Sequence, residues 1–385
     1  MASQTVWKTK MLRNLAIQTL MHDRGKLMAA LVGVIFSVVL VNIQGGLFIG
    51  LMSKASLLID HSDADIWIGH KGMHNLDFAH PIPVRWIHRI RSVPGIVNAS
   101  PIRLTFADIS LPNGKYESIV VVGVDLDSKI YPPFEIIEGP RDALRQPNSI
   151  IVDQCDSDKL VDPEIGELRE IGGKRVRVAG KCHGVLSFLV APYIFTDHRR
   201  SAELSNDDPN QTSYFLVKVA PGADVDAICQ QIRQRLPEVS VKTKHQYAYE
   251  SVNFWMTRTG IGLSFGAATV MGLLVGLLMV AQSLYAMILD RLHEFATLKA
   301  IGSTDKELLF VLTIQSTIVA FVGIAAGIVI SLAIGCLFST PRSTITIPIY
   351  LYFVSAALVL VICWFSAIVP YWRVRQIDPH SALQG

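Results

Sequence analysis

Four long apolar runs limit the architectures that this chain can adopt. They cover residues 27–52, 260–289, 308–338 and 349–369, and none carries an Asp, Glu, Lys, Arg or His in its interior. Each is long enough for an α-helix to cross roughly 30 Å of hydrocarbon at about 1.5 Å per residue. Since the chain is also 50% hydrophobic and only 17% charged, the sequence predicts an α-helical membrane protein with four transmembrane helices.

The residues before the first run predict its orientation. Basic residues outnumber acids there, the set being Lys8, Lys10, Arg13, Arg24 and Lys26 against Asp23. The N-terminus is therefore expected in the cytoplasm, with residues 1–26 forming an amphipathic helix at the membrane surface or a plain cytoplasmic tail. An even number of spans returns residues 370–385 to the cytoplasm. Residues 53–256, called here the outer domain, are then expected on the outer side of the membrane.

The outer domain has a mixed α+β pattern. Two strand-helix-strand units and one closing strand predict a split βαβ subdomain over 53–124 and 212–245. Their expected elements are strands at 65–68, 95–99, 118–124, 213–219 and 239–242, with helices at 83–91 and 224–236. Residues 125–211 are predicted to form a β-rich insert with strands at 150–152, 175–178 and 185–190. The first transmembrane helix is expected to continue as a stalk to Asp60.

Several function classes are disfavoured by what the sequence lacks. The three Gly-Lys pairs are followed by Leu27, Tyr116 and Arg175, so none forms a GxxxxGK[ST] phosphate loop. No GxSxG motif occurs. The uncharged spans do not suit an ion-coupled transporter, and the scattered basic residues do not suit nucleic acid. The chain is therefore not expected to be an enzyme.

The histidines and cysteines give only weak indications of a metal site or of disulfides. A membrane-anchored metalloenzyme using His70 and His74 is one alternative, but Gly69 and Gly72 beside them favour a loop, and no metal site is predicted. Cys155, Cys182 and Cys229 allow at most one disulfide plus a free thiol.

Glycine and aromatic residues indicate packing sites. Glycines four residues apart permit close helix contacts, although glycine is also generally common in membrane helices. The three pairs are Gly262/Gly266, Gly272/Gly276 and Gly323/Gly327. Before the second span, an aromatic cluster fits either an interfacial belt or a packed stalk; it consists of Tyr247, Tyr249, Phe254 and Trp255.

The segment between the second and third spans, DRLHEFATLKAIG from Asp290 to Gly302, is predicted to be a cytoplasmic helix within residues 290–307. Glu294 and Lys299 would be exposed, Phe295 and Leu298 would be apolar anchors, and Gly302 would end the helix. Thr304 or Asp305 would then cap the third span.

With these features the chain resembles ABC-transporter permeases of the MacB/FtsX/LolC type. Within that type it is most similar to the DevC-like permeases, which lack a fused ATPase. The motif R-x-x-E-x-x-x-L-x-A-I-G is matched by Arg291, Glu294, Leu298, Ala300, Ile301 and Gly302. A second, shorter motif is matched by Ile377, Asp378, Pro379 and Leu383. The resemblance covers essentially the whole chain.

The resemblance implies a function and a set of partners. It implies a permease dimer, a separate ABC ATPase that binds ATP and Mg²⁺ and rests on the coupling helix at 291–302, and contact with membrane lipids. It also implies mechanotransmission to the periplasm for export or lipid and lipoprotein extraction, with an adaptor and an outer-membrane channel. The alternative is an FtsX-like relay that controls a cell-wall hydrolase or sensor.

Overall fold

The computed structural model describes residues 17–18, 20–22, 24–128, 130, 135–140, 142–186, 188–189, 191–290, 304–340 and 345–368. Its helices are α1 (Arg24–Lys54), α2 (Leu57–His61), α3 (Ile87–Arg91), α4 (His198–Ser205), α5 (Val225–Arg235), α6 (Lys244–Arg258), α7 (Ile261–Asp290), α8 (Asp305–Phe338) and α9 (Ile349–Ser366). The strands are β1 (Ile66–His70), β2 (Ile82–Pro83), β3 (Ile96–Ser110), β4 (Tyr116–Val124), β5 (Glu135–Glu138), β6 (Ser149–Asp153), β7 (Leu168–Ile171), β8 (Lys174–His183), β9 (Tyr193–Asp197), β10 (Gln211–Thr212), β11 (Tyr214–Val219) and β12 (Val239–Thr243).

Four helices carry the apolar runs. By length and composition α1, α7, α8 and α9 can each cross a membrane, with mean hydropathy between 2.2 and 2.6. Many of their large apolar side chains are exposed, as expected for helices that face lipid rather than water. The predicted fold class, four spans with an α+β domain between the first and second, is confirmed.

The chain separates into two compact units: a membrane unit and a second unit that includes Gly50–Gly262 and contains the outer domain. In the membrane unit, buried residues of α1 pack with α7, α8 and α9 around Val34, Val38, Leu284 and Val319. At the start of α8, Thr304 is the N-cap, and its N–H donates to the Glu307 carboxylate over 3.0 Å. This T-x-x-E capping box decides between the two caps that the sequence allowed.

The outer domain is built on one ten-stranded sheet in the order β12-β1-β11-β3-β4-β9-β6-β8-β5, with β7 beside β3 and β8. Successive side chains of β1 enter opposite faces: Ile66 and Ile68 pack beneath α3 and α5, whereas Trp67 packs on the other face with Tyr214 and Tyr247. Both faces of these central strands are buried, which explains why they read as continuous apolar runs.

Two local expectations are wrong. The helix after the first span is interrupted, since α1 ends at Lys54 and α2 begins at Leu57 after a turn. The described residues within 185–190 form no strand; Val185 and Phe188 are apolar because they are buried in a loop, and the strand begins at Tyr193. The insert is β-rich as predicted, and its strand β9 pairs in parallel with β4, so it continues the same sheet.

One helix within the insert has no counterpart in the sequence prediction. It is α4, which begins at the N-cap Asp197, whose carboxylate accepts the N–H of Arg199 over 2.9 Å. It ends at Asn206 in the left-handed region, with φ of 57°. An Asp before a helix and an Asn after it are typical helix boundaries. The helix carries few large apolar residues, however, so its sequence shows no clear apolar face.

Candidate functional site: the stalk joint

Three segments that the sequence analysis singled out lie wholly or mostly outside the described residues. This holds for the coupling set Arg291, Glu294, Phe295, Leu298, Lys299, Ala300, Ile301 and Gly302, for the C-terminal set Ile377, Asp378, Pro379 and Leu383, and for most of the N-terminal segment 1–26. Their assignments stay predictions.

Two of the three glycine pairs pack against the first transmembrane helix. A Cβ on Gly323 would lie 2.5 Å from Val34 Cγ1, and one on Gly327 would lie 2.7 Å from Val38 Cβ. Gly272 faces Leu40 and Gly276 faces Ser37 in the same way, and the Ser37 hydroxyl donates to the carbonyl of Gly272 over 3.1 Å. Close backbone approach therefore joins α1 to both α7 and α8.

The third glycine pair differs from these two. A Cβ on Gly266 would meet nothing within 4 Å, and Gly262 faces the backbone of Met256 rather than a neighbouring span. Among the described residues of this chain neither glycine contacts a neighbouring span, and the role of Gly262 and Gly266 as a helix-packing pair stays a prediction.

The outer domain holds its own candidate site where the chain leaves α1 and where it approaches α7. We call it the stalk joint; it comprises residues 55–62, the loop 73–77 and helix α6. Helix α6 starts directly after β12 with a capping box, in which Thr243 Oγ1 accepts the Gln246 N–H and Gln246 Oε1 accepts the Thr243 N–H, each over 3.3 Å. The cap fixes where the helix begins.

One stripe of α6 is buried. Tyr247, Ser251 and Trp255 lie four residues apart and form that stripe, as the helical repeat requires. The fully buried Ser251 hydroxyl donates to the carbonyl of Ala55 over 2.7 Å, and Lys244 Nζ donates to the carbonyl of Ser62 over 2.8 Å. The segment that follows the first span and the helix that precedes the second are therefore directly bonded within the outer domain.

The loop 73–77 is fastened to the same stripe. The hydroxyls of Tyr247 and Tyr214 both donate to the carbonyl of Asn75, over 2.8 and 3.2 Å, and lie 2.9 Å from each other. The Trp255 indole N–H donates to Asp77 Oδ2. Tyr247 and Trp255 thus belong to a packed stalk rather than to an aromatic belt, whereas Tyr249 is exposed.

Burial sets the electrostatics of the stalk joint. It raises the pKa of Asp77 from its ordinary value of 3.8 to about 6, although the hydrogen bond from Trp255 opposes the shift. Burial also raises the pKa values of Tyr214 and Tyr247, so both phenols stay protonated. Lys242 pairs with Glu250, which lies on the same helix as Tyr247.

The histidine loop does not support the metalloenzyme alternative. The rings of His70 and His80 lie 5.5 Å apart, and His74 Nδ1 lies 4.0 Å from a Glu250 oxygen. Within the described part of the chain, the one group of three potential metal ligands is elsewhere, at Asp153, Cys155 and His183. Cys155, Cys182 and Cys229 are all free thiols.

A cleft in the outer domain has a volume of about 470 Å³ and lies between α4 and the loops before β5 and β6. Its lining mixes charges of both signs, from Asp125, Asp127, Arg145, Arg200 and Glu203. Arg145 donates to Asp127 over 3.1 Å and Arg200 donates to Glu203 over 2.5 Å. Because these charges neutralise one another, the cleft does not select a ligand of one charge.

Comparison with known proteins agrees with this organisation. The sequence-family model of the MacB-like periplasmic core domain matches residues 27–235, which is more than half of the chain. The family model of the FtsX-like permease C-terminal domain matches residues 266–379. An "uncharacterized ABC transporter permease" of Mycobacterium tuberculosis is 23% identical over 356 residues, covering 92% of this chain and 93% of the relative. One of Mycobacterium bovis is 22% identical over 378 residues, covering 96% and 99%.

Among solved structures, the periplasmic region of MacB from Actinobacillus actinomycetemcomitans aligns over 48% of this chain and 91% of its own, with a TM-score of 0.37 and 8% identity. The extracellular domain of the transporter YknZ from Gram-positive bacteria aligns over 46% and 98%, with a TM-score of 0.35 and 12% identity. On the two family matches and the full-length relatives, the chain belongs to the MacB/FtsX family of ABC-transporter permeases.

Proposed function

We propose that this chain is the mechanotransmitting permease subunit of an ATP-driven complex in a bacterial inner membrane. It pairs with a second permease copy and with a separate ATPase, which binds ATP and Mg²⁺. Movement enters through the coupling segment 291–302 and leaves through the outer domain, where it drives export or the extraction of a lipid or lipoprotein. Both chain termini lie in the cytoplasm and the outer domain lies in the periplasm.

The observation that carries this proposal is the hydrogen bond from Ser251 to Ala55. Any displacement of the segment after α1 is shared at once with α6, because both are held in one buried contact. The tyrosines of the same stripe pass it to β11 through Tyr214 and to the loop after β1 through Asn75. A packed core transmits such a displacement because it has low compressibility.

The sequence itself supports the need for a separate energy source. The chain has no phosphate-binding loop and no Asp, Glu, Lys, Arg or His inside its spans, so neither nucleotide hydrolysis nor a proton gradient is expected to drive it alone. Family membership supplies the ATPase as partner. Uncharged spans favour the transmission of movement over the passage of ions.

The coupling assignment is tested by the double variant Glu294→Lys, Leu298→Asp in full-length protein. We expect the ATPase to be lost from the purified complex, because one change reverses a charge and the other puts a charge on an apolar anchor. Glu238→Lys, an exposed charge reversal in the outer domain, is the matched control and should retain the ATPase. Equal recovery of ATPase with the double variant would refute the assignment.

The physiological role is tested by the partners of a tagged chain isolated from native membranes. An ATPase together with a periplasmic adaptor and an outer-membrane channel supports export. An ATPase together with a cell-wall hydrolase or a sensor would instead identify the FtsX-like relay. Lipoprotein carriers in place of a channel would favour extraction.

A further inference from the structure

Three potential metal ligands meet where two neighbouring parallel strands end. β6 and β8 pair in parallel with Asp153 opposite Cys182, so the last residues of both strands reach the same edge. Asp153 ends β6, Cys155 lies two residues beyond it, and His183 ends β8. One donor atom from each of the three lies within 4.8 Å of the other two, and Cys155 Sγ is 3.4 Å from His183 Nδ1.

Asp153 is a buried carboxylate held in a fixed orientation. It is 1% exposed; Oδ1 accepts the Cys155 N–H over 2.8 Å, and Oδ2 accepts the Val185 N–H over 2.9 Å. The Cys182 thiol lies 3.7 Å from the same Oδ2. Among the described residues no lysine or arginine forms an ion pair with Asp153, so its buried charge is balanced by hydrogen bonds alone. A bound cation would balance it better.

The donor set and its spacing fit a tetrahedral cation of the zinc class. Zn–S and Zn–N bonds of about 2.3 and 2.0 Å at a tetrahedral angle place sulfur and nitrogen about 3.5 Å apart. The observed 3.4 Å separation of Cys155 Sγ and His183 Nδ1 is close to that value. A thiolate and an imidazole exclude Mg²⁺ and Ca²⁺, which take oxygen ligands. His183 is exposed, which leaves a route for entry and a fourth position for water.

We propose that Asp153, Cys155 and His183 form a binding site in the outer domain for a single divalent cation of the zinc class. The ion joins the ends of β6 and β8 and so stabilises the end of the sheet that is formed by β6, β8 and β5. Binding displaces the Cys155 proton to solvent, because the thiolate is the ligand.

Full-length protein in detergent, stripped with a chelator and dialysed against Zn²⁺, tests the site by elemental analysis. We expect one zinc ion per chain in the parent and in the control Cys229→Ser, whose thiol is buried in α5. Cys155→Ser and His183→Ala should bind zinc about tenfold more weakly or worse. With Co²⁺ as probe, the thiolate-to-cobalt charge-transfer band should appear in the parent and vanish in Cys155→Ser.

Two results would overturn the proposal. One is zinc retention that is unchanged in Cys155→Ser and His183→Ala, or absent from the parent. The other is a Cys155–Cys182 disulfide in protein purified without reductant, detected by mass spectrometry of the non-reduced digest. Both variants change a side chain that is at least partly exposed, and equal thermal transitions in chelator would show that they fold; a variant that fails this check is replaced by Cys155→Ala or His183→Asn.

Discussion

The Trp255 indole N–H donates a 3.2 Å hydrogen bond to Asp77 Oδ2 and ties the last turn of α6 to the loop after β1. The acceptor is a carboxyl group whose burial favours its neutral form. The hydrogen bond that holds α6 to this loop therefore has a titratable acceptor, and the stability of the stalk joint depends on pH for this reason.

Replacing Asp77 by Asn should reveal that dependence. The pKa of Asp77 is about 6 in the folded protein and 3.8 ordinarily, so the folded state holds the proton more tightly. The stability this adds is complete below pH 3.8 and is lost as the pH rises through 6. Asparagine removes the ionisation, so above pH 6 the variant should be more stable than the parent by up to about 3 kcal/mol.

Denaturant unfolding of the two proteins from pH 4 to 8 measures this difference. A gap in unfolding free energy that opens between pH 4 and 6.5 is the expected result. A gap of constant size over the whole range would show that Asp77 does not titrate in that interval.

His198 should give the opposite dependence. Burial, Arg103 and Arg199 lower its pKa to about 4, and its ring nitrogen Nε2 lies 3.1 Å from Thr212 Oγ1. The neutral ring contributes stability above pH 6.5 that is lost as the pH falls through 4. His198→Gln should therefore lose less stability than the parent on acidification, by about 3 kcal/mol at pH 4. Parallel pH profiles of parent and variant would contradict this.

Removing the Ser251 hydroxyl should weaken the stalk joint. Ser251→Ala leaves the carbonyl of Ala55 without its 2.7 Å partner in a buried position, at a cost of about 1–3 kcal/mol in unfolding free energy. Transport or partner activation per ATP hydrolysed should fall as well, since movement is shared less tightly. Thr257→Ala is the control, because that hydroxyl is bonded only within its own helix, to Asn253, and is exposed. Equal effects of the two variants would argue against a special role for Ser251.

The glycine contacts predict a difference between two Gly→Ala changes. Alanine at Gly327 would press on Val38 of α1 and should lower membrane-unit stability by about 1–3 kcal/mol. Alanine at Gly266 meets open space, and the better helix propensity of alanine should leave stability unchanged or slightly raised. Thermal unfolding in detergent compares them. Loss of stability in Gly266→Ala, without loss in Gly327→Ala, would reverse the assignment of the packed faces.

The sequence was sufficient for the features that depend on local pattern. Apolar length predicted the four spans, and short apolar or alternating runs predicted β1, β11 and β12, because these properties are encoded within a few residues. The pattern could not predict that β9 would join β4, since that pairing depends on residues about 70 positions apart along the chain. For the same reason Cys155 and His183 show no metal-binding spacing: only the pairing of β6 with β8 brings them together.

Only some residues of the stalk joint could be recognised from the sequence. Tyr247 and Trp255 stood out as aromatics, but Ser251 between them is an ordinary residue whose role depends on the carbonyl opposite it. Asp77 likewise stands in a polar stretch of the sequence, yet it is only 8% exposed. A single sequence does not show which backbone carbonyl a side chain will contact or whether a polar residue will be buried.

The unbroken sheet also determines how the outer domain can be cut. Removing residues 125–211 would strip β9 from β4 over the register Val120–Val124 and leave that buried apolar strand as an open edge. Unpaired edges of this type recruit other chains and aggregate. A piece that keeps every strand of this sheet paired as in the whole protein must therefore include residues 66–243. The compact unit Gly50–Gly262 contains them all and is the natural unit to exchange between related permeases.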